Sequence, residues 1–419
     1  MRFIYICIAY LISPLWIGAL AMRGFRDRSH WQGFSQRFGF GPKVRDRSIW
    51  VHAVSVGEVQ ASVPLVEALL KRFPTCPLVL TTVTATGRAR AKAVFGARVD
   101  VRYVPIDLPG SVRRFFQRVQ PQLAIILETE IWPNLYHRCG RLRVPLVLAS
   151  ARISPRSVES YRRLVGLFRA TLAHGIFIAA QSSEDAERFV SIGANPKRTH
   201  VVGNIKFDFD VPPDIEARGH ELRRLLGVHR PVWVAGSTHA REEDELIAAH
   251  RLVRERFSNA LLVLVPRHPP RFAEVAAALK DQDVPFVTRT SGAPVPPNTQ
   301  VFLVDTLGEL PPFYAAGDVA FVGGSLVPIG GHNLLEPAAL SLPILAGPHN
   351  FNSADIAKML VERDAARIVQ DAHTLAAKVG DLLADPTARA TMGASGRKAV
   401  DDNRGAVARL MQFLEPLLP

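Results

Sequence analysis

The sequence predicts an α/β chain of two doubly wound, Rossmann-like domains facing a cleft, preceded by an N-terminal membrane-anchor helix. Three observations carry this. Short apolar runs alternate with helical patterns along most of the chain, a glycine-rich turn joins one such run to a helix, and an uncharged apolar stretch stands at the N-terminus. With 419 residues, 48% of them hydrophobic, the chain can build two cores of ordinary size.

Phe3 to Met22 carry no charge and are interrupted only by Ser13, Pro14 and Gly18. That matches the roughly 20 residues a bilayer crossing requires. Ala19-Leu20-Ala21 resembles a signal-peptide cleavage site. The next segment, however, carries Arg23, Arg26, Arg28, Arg37, Lys43, Arg45 and Arg47 against only Asp27 and Asp46. Positive charge favours the cytoplasmic side, so the expectation is an uncleaved anchor, spanning or lying in the interface, with the domains cytoplasmic.

Beyond the anchor the apolar runs are Ile49–Val54, Leu78–Val83, Val101–Ile106, Leu123–Leu127, Leu146–Ala149, Ile176–Ala180 and Val201–Val202. The second half repeats the rhythm with Val232–Ala235, Leu261–Val265, Pro285–Val287, Val301–Val304, Val319–Val322, Pro343–Ala346 and Ala366–Val369. Such runs alternating with helices imply parallel sheets covered on both faces. Lys206 to Arg230 is rich in Pro, Asp, Arg and Gly and reads as a linker. The expected division is an anchor over 1–22, a domain over 23–205, a linker over 206–230, a second domain over 231–385 and a helical tail over 386–419.

The loops after the strands carry the candidate chemistry. Gly323-Gly324-Ser325 to Gly330-Gly331-His332-Asn333-Leu334-Leu335-Glu336-Pro337 follows the run Val319–Val322 and leads into an apolar helical segment, Ala338 to Leu342. Glycines let backbone amides approach a phosphate, and a helix start adds its positive end, so this is a candidate nucleotide phosphate site; the alternative is a plain tight turn. Gly236-Ser237-Thr238-His239 and Arg267-His268-Pro269 also follow strands and would line the same crevice. After the first strand, Ser55 and Glu58 have Ser-x-x-Glu spacing: a capping box on one account, and a general base at Glu58 on the other. Glu128-Thr129-Glu130 follows the fourth strand, where alternation would put both acids on one side and an arginine partner is expected. Arg88, Arg90 and Lys92 after the second strand, and Arg152 and Arg156 after the fifth, are available either as partners or as a convergent anion site.

Composition narrows the partners. The net charge, 51 − 38 = +13, suggests an anionic partner. No nucleic-acid recognition module is present, which leaves an anionic membrane surface or a phosphorylated substrate. Cys7, Cys76 and Cys139 lack metal-like spacing, and a reducing compartment is expected.

These motifs resemble the Kdo transferases, the 3-deoxy-D-manno-octulosonic acid transferases of lipopolysaccharide assembly, a family of two-domain GT-B glycosyltransferases. The resemblance rests on His52-Ala53-Val54-Ser55-Val56-Gly57-Glu58, Glu128-Thr129-Glu130-Ile131-Trp132-Pro133-Asn134, Ala151-Arg152-Ile153-Ser154, Gly203-Asn204-Ile205-Lys206-Phe207-Asp208, Ala235-Gly236-Ser237-Thr238-His239, Arg267-His268-Pro269 and Asn333-Leu334-Leu335-Glu336-Pro337. It spans about residues 50 to 350 with no departure inside the motifs.

The resemblance implies CMP-Kdo as donor, a lipid A precursor (lipid IVA) as acceptor, inversion at the anomeric carbon, no metal and no cofactor. It implies an inner-membrane location, with the first domain binding acceptor and the second binding the nucleotide sugar. Glu58 becomes the catalytic base, with Glu128, Glu130, Arg88, Arg152, Ser55 and Gly57 on the acceptor side or in support. Ser237, Thr238, Arg267, His268, Gly324, Gly330, Gly331, Asn333 and Glu336 become the CMP-binding set. Asp208-Phe209-Asp210 and Asp281-Gln282-Asp283 spell the Asp-x-Asp by which other glycosyltransferases hold a divalent ion, but neither follows a central strand and both read as linker or surface acids. A GT-B transferase using a UDP-sugar is the alternative. A two-lobed solute-binding lipoprotein is more remote, since no cysteine closely follows Met22.

Overall fold

The computed structural model describes residues 2–26, 28–162, 171 and 175–418. Each of the apolar runs named above is a strand. In the first half β1 (Ser48–His52), β2 (Leu78–Thr82), β3 (Asp100–Tyr103), β4 (Pro121–Leu127), β5 (Leu146–Ala151), β6 (Phe177–Ala180) and β7 (Thr199–Val201) form a sheet in the order β3-β2-β1-β4-β5-β6-β7. In the second, β8 (Val232–Thr238), β9 (Leu261–Pro266), β10 (Phe286–Thr288), β11 (Val301–Leu303), β12 (Val319–Val322), β13 (Ile344–Ala346) and β14 (Ala366–Ile368) run in the order β10-β11-β9-β8-β12-β13-β14. Neighbouring strands pair parallel throughout. Central strands such as β1, β4, β8 and β12 are buried along their whole length or nearly so, as two-sided cover by helices requires.

Helices α1 (Arg2–Arg26), α2 (Val56–Arg72), α3 (Ala85–Phe95), α4 (Pro109–Val119) and α5 (Pro133–Leu142) belong to the first half. α2 turns Val59, Leu65, Val66 and Leu69 inward, at helical spacing, against Ile49 and Val51 of β1. α3 starts hard against the turn that opens α2. A Cβ on Gly87 would lie 2.8 Å from Thr84 Oγ1 and 3.3 Å from the Ser55 carbonyl carbon, and the Thr84 hydroxyl accepts the Gly87 amide at 3.0 Å. Only glycine allows that approach.

Two expected boundaries are corrected. The chain forms two compact units, one reaching Asp210 and resumed from Asn403, the other spanning Val211–Asp402. The expected linker is therefore mostly structure. Ile205–Phe207 is a 3-10 turn of the first unit, and Ile215–Leu226 is a helix of the second. A Cβ on Gly219 of that helix would meet Ala315 at 2.6 Å, and Arg223 Nη1 pairs with Asp318 at 3.0 Å. Its sparse apolar residues hid it, because one small face suffices where a glycine lets two helices touch.

The tail is likewise divided. Helix Pro386–Asn403 falls in the second unit through Asp402, whereas helix Ala406–Leu414 packs Ala406, Leu410 and Leu414 into the core of the first, with Leu65 and Leu69. Asp208 caps that last helix, accepting the amides of Gly405 and Val407. The first acid of Asp208-Phe209-Asp210 is thus committed to holding the C-terminus in place.

Candidate active site

In a doubly wound sheet, ligands bind beyond the carboxyl ends of the strands where strand order reverses. In the first unit the reversal lies between β1 and β4, and in the second between β8 and β12. The loops with Glu58, Glu128, Ser237 and Gly323 leave these strands, and those with Arg88, Arg152 and Arg267 leave the neighbouring strands β2, β5 and β9.

Glu58 stands in the first turn of α2, directly after β1. Its Oε2 accepts the Val54 amide at 2.8 Å. The capping box is thus half present and displaced: the carboxylate reaches one residue too far back, and Ser55, at the N-cap, makes no side-chain capping bond. Burial pushes the Glu58 carboxyl up to about 7. The Val54 bond and Lys206 oppose that shift, while Glu128 and Glu130 add to it. A carboxyl poised near neutrality is what proton abstraction at physiological pH calls for.

Glu128 and Glu130 do not lie on a strand as the alternation argument assumed. β4 ends at Leu127, and Glu128 adopts a left-handed backbone with φ 56°. That turn brings its carboxylate to Lys206 Nζ at 2.7 Å and Arg152 Nε at 3.5 Å. The expected arginine partner is Arg152. Glu130 accepts the Trp132 indole N–H at 2.7 Å, and its main-chain carbonyl accepts the Tyr136 hydroxyl. Burial raises the Glu130 carboxyl, with the Trp132 bond opposing and Glu128 reinforcing.

Lys206 falls within the expected linker, yet it belongs to the first unit and to its site. It follows Asn204, whose Oδ1 accepts the Lys206 amide at 2.9 Å and whose Nδ2 donates to Gln181 Oε1 at 3.0 Å. Its position just after the last strand of the first sheet was the available signal.

Arg88 is placed elsewhere. Its guanidinium stands 5.3 Å from the centre of the Tyr103 ring, which also lies 3.8 Å beneath Arg37, and among the described residues it forms no ion pair with the acids. Arg90 donates to Gln60 Oε1. The side chain of Arg156 lies outside the described residues. Gly57 is exposed, and a Cβ there would meet nothing nearer than Ser55 Oγ at 3.9 Å. Alanine should therefore favour the helix by about 0.5–1 kcal/mol. Gly57→Ala is expected to melt no earlier than wild type and to transfer more slowly; equal rates would remove Gly57 from the site.

The second unit corrects the glycine turn. Its amides do not wait for a phosphate: Glu242, fully buried, accepts Gly324 N–H at 2.7 Å, Ser325 N–H at 3.0 Å and Leu326 N–H at 2.9 Å, together with His239 N–H at 3.2 Å. The chain's own carboxylate fills the nest. Gly331 N–H is bonded to Gly324 O at 2.8 Å. Gly330 and Gly331, with φ of 109° and 73°, shape this loop rather than begin a helix, because the helix that follows is only Leu335–Ala339. Thr238 is also spoken for, being buried and donating to Glu243 at 3.2 Å.

Several side chains do face the reversal point. His239 and His332, from its two sides, stack with ring centres 5.0 Å apart and share a hydrogen bond of 2.7 Å between their Nε2 atoms. Burial, with His239, Arg267 and His268 nearby, pushes His332 down to about 3, so it is neutral at pH 7. His268 lies edge-on to His239 at 5.3 Å, and the Arg267 side chain is exposed. Ser237 is half-buried with φ 59°. Asn333 Nδ2 donates to Glu336 Oε1 at 3.1 Å, and burial raises the Glu336 carboxyl against that bond and Arg267. Neither Glu242 nor the histidine stack is evident from the sequence pattern, although Glu242 lies only three residues past His239.

Two Rossmann-like units, one with a buried acid at its reversal point and the other with an edge rich in arginine and histidine, give the chain the two-domain GT-B fold. The fold is shared with a protein of Anabaena, HepE, solved in complex with UDP (TM-score 0.58, 16% identity, covering 88% of this chain and 99% of that one). The family model described as 3-deoxy-D-manno-octulosonic-acid transferase (kdotransferase) matches residues 32–209. The chain is 39% identical to the 3-deoxy-D-manno-octulosonic acid transferase of Haemophilus influenzae, covering 100% of this chain and 99% of the relative. It is 38% identical to that of Bordetella pertussis over 94% of each. The chain belongs to the 3-deoxy-D-manno-octulosonic acid (Kdo) transferases.

Proposed function

We propose that the chain transfers Kdo from CMP-Kdo to a lipid A precursor, lipid IVA, with inversion and without a metal ion, at the cytoplasmic face of the inner membrane in lipopolysaccharide core assembly. The observation that carries this reading is the Glu58 carboxyl, held by Val54 at a strand-order reversal and tuned to about 7, in a full-length relative of Kdo transferases. Glu58 takes the proton of the acceptor hydroxyl while that oxygen bonds to the anomeric carbon. The bond from that carbon to the phosphate oxygen breaks on the opposite face, its electron pair leaving with CMP, and the configuration inverts. The Glu128 carboxylate, paired with Lys206 and Arg152, stands near Glu58 and helps to raise its carboxyl.

Charge grows on the departing phosphate. Arg267 and the Ser237 hydroxyl are suited to meet it without proton transfer, backed by the histidine stack. Glu336 spends one oxygen on Asn333 and offers the other to a ribose hydroxyl. No step calls for a divalent ion, and addition of EDTA is expected to leave the rate unchanged. The apolar α1 and the +13 charge suit an acceptor that is both lipid and phosphorylated.

Calorimetry tests the donor assignment. Arg267→Ala and Glu336→Ala should each weaken CMP binding roughly tenfold to a hundredfold, the cost of a charge-assisted hydrogen bond, and UDP should bind the wild type more weakly than CMP. Unchanged CMP affinity in both variants would place the nucleotide elsewhere.

A further inference from the structure

We infer that α1 lies along one leaflet of the membrane, on the cytoplasmic side, instead of crossing the bilayer. The inference rests on the membrane-anchored reading and settles its geometry. α1 is apolar enough over Arg2–Met22 to span, and at 25 residues it is about 37 Å long against a hydrocarbon core of about 30 Å. Length and composition therefore permit either arrangement. Its contacts do not.

One face of α1 is half-buried or buried from end to end. Arg2, Tyr5, Ala9, Ser13, Trp16, Leu20 and Gly24 recur at three- and four-residue steps and fall on one stripe, while the other face, with Phe3, Ile8, Leu11, Leu15, Met22 and Phe25, is exposed. The stripe is fastened to the first unit at both ends. At the N-terminal end the Tyr5 hydroxyl donates to Asp107 Oδ2 at 2.8 Å and Arg2 Nε to Asn134 Oδ1 at 3.3 Å. Asp107 also accepts the amides of Asn134 and Leu135 at the start of α5, so this fastening is rooted at the carboxyl edge of the first sheet. Midway, the Arg37 guanidinium lies 5.9 Å from the Trp16 ring centre. At the far end the Trp31 ring covers Gly24 so closely that a Cβ there would be 2.5 Å from it.

A spanning helix holds its two ends on opposite sides of about 30 Å of hydrocarbon. Here both ends touch the same domain. Crossing would carry Asp107, Asn134 and the adjoining edge of the sheet to the far side, with charged groups lodged in the bilayer at a cost of several kcal/mol each. Lying flat leaves every one of these contacts intact and presents Phe3 (77% exposed), Leu11 (78%) and Leu15 (75%) to acyl chains. The basic stretch that follows, through Arg28, Lys43, Arg45 and Arg47, then meets anionic headgroups of the same leaflet, worth about 1 kcal/mol per charge. Weak amphipathicity of α1 is explained too, since its inner face meets protein where a free interfacial helix would meet water.

The test is protease access to a cleavable tag placed before Met1 of the full-length protein. In sealed inverted inner-membrane vesicles the tag should be removed, and in intact spheroplasts it should be protected. Removal in spheroplasts would show a spanning helix and overturn the inference while leaving the anchor in place. Recovery of the protein in the soluble fraction at low salt would overturn anchor and inference together. Cys7 is exposed on the outer face. Its quantitative oxidation to linked dimers in native membranes would assign that face to a second copy, which also overturns the inference.

Discussion

Replacing Glu58 by glutamine is expected to lower the rate of transfer by roughly two to four orders of magnitude while the protein stays folded. Glutamine keeps an oxygen for the Val54 amide and loses the base. Stability provides the control, with a definite sign. The Glu58 carboxyl titrates near 7 in the fold against an ordinary value of 4.5, so the folded state favours its protonated form. That contribution is complete below about pH 4.5 and is lost as pH rises through 7. At pH 8 the wild type carries a carboxylate the fold disfavours, and Glu58→Gln should be more stable by on the order of 2 kcal/mol, at about 1.4 kcal/mol per pKa unit less solvent screening. The wild-type rate should climb as pH rises through about 7, where the base becomes available, and the variant should lack that limb. A variant with wild-type turnover would leave Glu58 a mere helix-start residue.

Glu242→Ala should have the largest effect on the second unit. It strands four backbone N–H groups of the Gly324–Leu326 turn and His239, at about 1–3 kcal/mol for each donor left without water. The loop that carries His332, Asn333 and Glu336 should lose its shape. We expect CMP binding to fall by more than a hundredfold, together with an early thermal transition of the second unit. Glu242→Gln, which retains one acceptor, should fall between. Normal CMP affinity in Glu242→Ala would show that the nest holds nothing the nucleotide needs.

The sequence was most legible where periodicity and chain position suffice. Runs such as Ile49–Val54 and Val319–Val322 are apolar because both faces of a parallel strand are covered, and their strand ends locate the candidate loops without reference to any contact. Glu58 lies in one of these loops, where spacing alone favours a capping box and the family resemblance makes it the base. Less legible were interactions between residues far apart in sequence. The Glu128 partner Lys206 comes from the turn after the last strand, and nothing local pairs them. Glycines at 323 and 324 signal a tight turn, but whether its amides serve a ligand or the protein depends on a carboxylate some 80 residues earlier. Glu242 reads from sequence as an ordinary acid in a first helical turn. The same blindness hid the return of helix Ala406–Leu414 to the first core, because an amphipathic stripe does not name the surface it will cover.

The most direct test of the account is the mass of the acceptor after incubation of the purified, detergent-dispersed protein with CMP-Kdo and lipid IVA. Lipid IVA should become heavier by one or more Kdo units, with CMP released in equal number and no product from Glu58→Gln. An acceptor of unchanged mass beside intact CMP-Kdo would contradict it, as would equal product from Glu58→Gln.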